Sequence, residues 1–117
     1  MSDASAAAPI AQPLPARLLQ DTASMFALLS ATVRLQILWL LATGDHDVST
    51  LAAATGHSVA TVSNHLSKLK LAGMVHARRQ GKRQVYVVSD THVIEILRLA
   101  VGRRGEGPSA RDHAHHA

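Results

Sequence analysis

Cysteine is absent from the 117 residues, which excludes disulfide frameworks, thiolate zinc ribbons, iron–sulfur clusters and cysteine nucleophiles. Any bound metal must be held by His, Asp or Glu. Aromatic side chains are almost absent as well. Phe26, Trp39 and Tyr86 stand alone, and two of them fall in apolar helical stretches, so there is no stacking platform for unpaired RNA bases. Long apolar runs are missing too: Leu35 to Ala42 is interrupted by Gln36 and is far shorter than the roughly 18 to 20 residues a membrane helix needs. The first ten residues hold an acid and no following apolar block, so no secretory signal is read. No nucleophile with its base, phosphate-binding loop or carboxylate pair stands out. These absences together predict a soluble, cytoplasmic, non-enzymatic protein without a membrane partner, of a length that fits one small domain.

One further absence is local. From Val48 to Ser89 there is no Asp or Glu, while Lys68, Lys70, Arg78, Arg79, Lys82 and Arg83 all lie there, a charge of +6 against +4 for the whole chain. A solvated surface normally mixes signs; a segment emptied of acids is the electrostatic footprint of a nucleic-acid-binding face.

Three prolines in the first 15 residues predict a flexible arm, followed by an ordered domain over residues 16–102 and a flexible His-containing tail over residues 103–117. Asp21 or Thr22 is placed to cap a helix turn carrying Met25, Phe26, Leu28 and Leu29. Val33 to Leu41 is apolar on nearly all sides and reads as a central buried helix stopped at Gly44. Ser49 then opens a short helix closed by Gly56, and Ser58 caps a longer one that ends near Ala72 and Gly73. In the longer helix Val59, Val62, Leu66 and Leu69 mark a buried face, with Ala60, Thr61, Asn64 and Lys68 pointing away. Period two takes over from Met74 to Val88, with Gly81 at the turn, which is a hairpin. A last helix follows Asp90, its apolar arc from Val93 to Val101 too wide for one packing partner, and Gly102 is expected to help end it. His46, His57 and His76 read as surface.

Helix, Gly-containing turn, helix and basic hairpin make a mainly α winged helix-turn-helix. The major groove admits one helix, so Thr61, Ser63, Asn64, His65 and Lys68 are the candidates for base edges and phosphates, Asn being suited to adenine. For His65 a base contact and a boundary packing role are both open. Arg78, Arg79, Lys82 and Arg83, within six residues, suit the phosphate backbone or the adjacent minor groove.

Four stretches carry a family resemblance over about residues 28–101: L-x-x-x-x-R-L-x-I-L (Leu29 to Leu38), V-S-N-H-L-x-K-L-x-x-A-G-x-V (Val62 to Val75), R-x-G-K-R-x-V-Y (Arg79 to Tyr86) and D-T-H-V (Asp90 to Val93). The chain resembles the ArsR/SmtB family of metal-sensing transcriptional regulators, most closely its nickel- and zinc-responsive members with D-x-H opening the last helix. The resemblance implies a homodimer built from the first and last helices, binding double-stranded operator DNA that has matching two-fold symmetry. In the cell this implies association with the nucleoid.

It also implies a choice of metal sites. Where some members carry cysteines at the start of the first motif helix, this chain has Asp47 and Ser49, so that thiolate site is absent. In the other arrangement D-x-H on one subunit meets two ligands from its partner; Asp90 and His92 match the first half, and the remaining positions fall on Arg103 and Glu106. Arg103 is a cation where a ligand belongs. Three arrangements stay open: Asp90, His92 and Glu106 completed by water, a site completed by His113, His115 or His116, or no working sensor site. Oxygen and nitrogen donors without sulfur suit Ni2+, Zn2+ or Co2+, with nickel ranked first. Asp90 also fits a plain helix N-cap, and His92 a polar residue of the dimer face. The alternative is a metal-independent winged helix that takes its signal from a partner regulator protein.

Overall fold

Pro15 sets where regular structure begins. The computed structural model describes residues 11–105, and α1 (Ala16–Leu29) starts directly after this proline, whose fixed φ of −54° precedes the first helical turn and whose carbonyl accepts Leu19 N–H at 2.9 Å. Neither Asp21 nor Thr22 caps a helix, contrary to expectation, because both lie inside α1; the Thr22 hydroxyl donates to the Leu18 carbonyl of its own helix. After Ser30 and Ala31 the chain turns into α2 (Thr32–Leu41), which meets α1 at 88°. No single helix among the described residues is long and apolar enough to cross a membrane.

The second helix has one core face rather than burial all round. Ile37, Leu38 and Leu41 are buried, whereas Val33, Leu35, Trp39 and Leu40 are half-buried and Gln36 is exposed. It ends at an Ala42 cap in right-handed geometry, and Gly44 keeps a negative φ, so the stop does not depend on glycine.

The next two helices are joined by three residues. α3 (Val48–Thr55) is capped by Asp47, two residues before the expected Ser49, and its carboxylate accepts Thr50 N–H at 2.8 Å. Gly56, at φ +76°, closes α3 in the left-handed region. α4 (Val59–Leu71) opens with Ser58 accepting Thr61 N–H, as its sequence demands. Val62, Leu66 and Leu69 are fully buried, but Val59, in the first turn, is half in solvent and leaves the expected core stripe. Gly73 then donates to Lys70 and Met74 to Leu69, the paired bonds of a Schellman stop that turns the chain out of α4.

β1 (Val75–Gln80) and β2 (Arg83–Val88) pair antiparallel, with Val75 opposite Val88 and Gln80 opposite Arg83. Their two-residue loop places Gly81 first at φ +66°, the position where a hairpin turn of the II′ kind needs a left-handed residue. The other edge of β2 is tied down as well: Tyr86 N–H donates to the His46 carbonyl at 2.8 Å, so His46 is half-buried instead of lying free on the surface.

α5 (Thr91–Gly105) returns across α2 and passes through Gly102 without breaking, so the expected stop there is not made. Val93 and Leu97 join the core, which runs from Leu29 through Ile37, Leu51, Val62 and Leu66 to Val75. Apolar surface is left over at both ends of the chain's fold. Leu18, Leu19 and Phe26 on α1 and Leu99 and Val101 on α5 stay exposed, Leu99 at 76 %.

Candidate nucleic-acid interface and metal site

The outer face of α4 carries Asn64 and Lys68, as the helical phase assigned them, with Ser63 beside them. Ser63, Asn64 and Lys68 are exposed, and none of the three uses its side-chain polar atoms on a hydrogen bond among the described residues. Thr61 is less available. It is half-buried, and both its N–H and its hydroxyl are engaged by Ser58 at the helix start. His65 is half-buried too, its Nδ1 3.2 Å from Arg34 Nη1, so the boundary role is realised through a polar contact with α2. Burial first, then the positive charges of Arg34 and Lys68 and the nearby His57, hold the His65 pKa below its ordinary value.

The hairpin differs from its reading in sequence. Although no acid lies between Val48 and Ser89, the fold brings two in from the loop before α3: Arg78 pairs with Asp45, and Arg83 Nε donates to Asp47 Oδ2 at 2.9 Å. Asp47 therefore acts twice, on the first turn of α3 and on the hairpin. Hydrogen bonding from Thr50, with Arg83 adding to it, lowers the Asp47 pKa to about 2. Arg79 and Lys82 are exposed and form no ion pair among the described residues, which makes them the free cations of this element. The acids and Arg34 were the residues that sequence reading missed. Asp47 had a local signal, an acid one residue before a helix-forming run; the Asp45 and Arg34 contacts span more than 30 residues and had none.

At the start of α5, Asp90 Oδ1 accepts His92 N–H at 3.0 Å, as an N-cap does, and lies 3.3 Å from His92 Nδ1. One oxygen and one nitrogen donor thus converge, with the His92 side chain largely in solvent. This fits half of a coordination sphere. Among the described residues no group of three or more His, Asp or Glu comes together, and Glu106, His113, His115 and His116 lie outside the described residues. Arg103 sits exposed in the last turn of α5.

Residues 32–77 match the family described as bacterial regulatory protein, arsR family. The HTH-type transcriptional regulator Rv0324 of Mycobacterium tuberculosis is 42 % identical over 84 residues, 72 % of this chain but only 37 % of that protein, so the chain spans little over a third of this relative. KmtR, an HTH-type transcriptional regulator of the same organism, is 35 % identical over 89 residues, 76 % of this chain and 68 % of KmtR. A probable mercury resistance operon repressor of Streptomyces lividans is 34 % identical over 91 residues, 78 % of this chain and 73 % of the repressor. Among solved structures, the homodimeric winged helix-turn-helix DNA-binding domain Mb0332 from Mycobacterium bovis superposes with a TM-score of 0.68 at 36 % identity, covering 85 % of this chain and 93 % of that one.

Proposed function

Since the chain belongs to the arsR family of bacterial regulatory proteins, we propose that it is a homodimeric, sequence-specific DNA-binding transcriptional regulator whose operator affinity is tuned by a divalent metal. The observation that carries the DNA reading is the outer face of α4: polar, free of acids, and projecting Ser63, Asn64 and Lys68 from a helix whose opposite face is locked by Val62, Leu66 and Leu69. A helix so fixed holds its register against base edges. Asn64 supplies the adenine-type contact and Lys68 a phosphate or base contact, while Arg79 and Lys82 on the wing meet the backbone. Arg78 and Arg83, paired to acids, hold the wing's orientation and add less charge to the contact.

Two such helices are needed for a two-fold operator. The exposed Leu18, Leu19 and Phe26 of α1 and Leu99 and Val101 of α5 support pairing of two copies through these helices, the assembly state named for Mb0332. Asp90 and His92 open α5, one of these two helices, which supports reading them as a metal half-site beside the proposed dimer seam. The metal reading is supported by this O/N pair and by the resistance role named for the Streptomyces relative. With no thiolate in the chain, the donors suit nickel, ranked first, then zinc or cobalt. Bound there, the ion would add positive charge and a fixed geometry where α5 starts; Glu106 or the tail histidines would complete its shell.

The coupling expected of such a site is about 1–3 kcal/mol, and it must act on metal affinity and DNA affinity alike. Fluorescence anisotropy on a duplex from upstream of the protein's own gene, with a shuffled duplex as control, tests it. Nickel is expected to weaken binding relative to chelator by about 5- to 150-fold in the wild type and to change nothing in an Asp90→Ala/His92→Ala variant. Equal affinity with nickel, zinc and chelator would remove metal sensing while leaving the DNA reading in place.

A further inference from the structure

Arg34 ties three helices together. Its Nε donates to the Leu28 carbonyl of α1 at 2.9 Å, and its Nη1 lies 3.2 Å from His65 Nδ1 on α4. A guanidinium has no acceptor, so the ring nitrogen that faces it must offer a lone pair, and the imidazole proton must sit on Nε2. Nε2 itself makes no hydrogen bond among the described residues. It is not fully enclosed, because no buried side-chain nitrogen or oxygen among those residues is left without a partner. The surroundings favour the neutral ring: Arg34 faces it from α2, Lys68 from one turn further along α4 and His57 from the turn before α4, all basic groups, and among the described residues no carboxylate shifts it.

We propose that Arg34 is a positioning residue for DNA recognition, holding His65 as the neutral tautomer protonated at Nε2, so that α4 presents one N–H donor there to an acceptor on DNA. Guanine N7 and O6, thymine O4 and phosphate oxygens all have that acceptor chemistry. An imidazole free to switch tautomer would present a donor to some acceptors and a lone pair to others, and would discriminate less. The inference rests on α4 as the DNA-reading helix. Its first test, made on the free protein, does not.

In long-range nitrogen–proton spectra of the full-length chain at about pH 7.5, His65 is expected to show a single Nε2–H tautomer, and to titrate below the ordinary histidine value. Arg34→Met is expected to give a tautomer mixture and to move the titration upward. Arg34→Lys keeps the charge without the guanidinium fork, is the variant to use if Arg34→Met fails to fold, and is expected to give the tautomer mixture as well. On the upstream duplex, His65→Gln, whose amide N–H2 stands near Nε2, is expected to keep affinity within about threefold, while His65→Asn, which mimics Nδ1, loses about tenfold. A loss confined to the upstream duplex assigns the acceptor to a base edge, and an equal loss on the shuffled duplex assigns it to phosphate. A wild-type ring protonated at Nδ1, unchanged spectra in both Arg34 variants, or equal losses for Gln and Asn would each overturn the proposal. Wild-type protein that binds neither duplex would overturn the DNA reading itself, and with it the recognition role of His65.

Discussion

Asp47 shows how one side chain serves two elements. Its carboxylate accepts Thr50 N–H at the start of α3 and holds Arg83 of β2, contacts that are stronger to the charged form than to the neutral one. The folded carboxyl titrates at about 2 against 3.8 for the ordinary group, so between those values the unfolded chain binds the proton and the folded chain does not. Its stabilising effect is therefore complete above about pH 4 and is lost as pH falls toward 2. Asp47→Asn is expected to lower the unfolding midpoint at neutral pH and to flatten the wild-type decline between about pH 4 and pH 2, as followed by circular dichroism during urea unfolding. A variant whose midpoint declines as steeply as the wild type would contradict this role.

At the scale of elements, the helix-turn-helix was legible because its signals are local. Ser58 as cap, Gly56 and Gly73 as left-handed stops, and the Val62, Leu66, Leu69 stripe each follow from a few neighbouring residues. The polar face of α4 was legible for the same reason. The wing was half legible: Gly81 and the alternating residues marked the hairpin, but its isolation from acids was a property of the sequence order and did not survive folding, which carried Asp45 and Asp47 to it. The His65–Arg34 contact was hidden likewise, since helical phase gives a side chain's direction and not what packs against it. The element most altered by these contacts is the wing. Asp45→Asn releases Arg78, and is expected to tighten binding to any duplex at low salt and to steepen the salt dependence by up to about one unit of log–log slope, measured by anisotropy across a salt series. An unchanged slope would mean that Arg78 does not reach a phosphate even when free.

For the whole molecule, the leftover apolar surface on α1 and α5 is where the proposed pairing of two copies can be tested. A Phe26→Glu/Leu99→Glu variant keeps the core intact, because both side chains are at least half exposed. Its dimer is expected to be weaker by about 1.5–3 kcal/mol for each large apolar side chain lost from the seam, giving monomer in sedimentation where the wild type is dimeric. Unchanged sedimentation would place the dimer seam elsewhere. Whether α4 reads sequence while the wing supplies charge is decided by anisotropy of wild type, Asn64→Ala and Lys82→Ala on the upstream and shuffled duplexes at several salt concentrations. Asn64→Ala is expected to lose about 1–3 kcal/mol on the upstream duplex alone, whereas Lys82→Ala weakens both duplexes equally and reduces the salt slope by about 0.9. Wild-type protein that does not distinguish the two duplexes, or an Asn64→Ala variant that keeps the full preference, would contradict it.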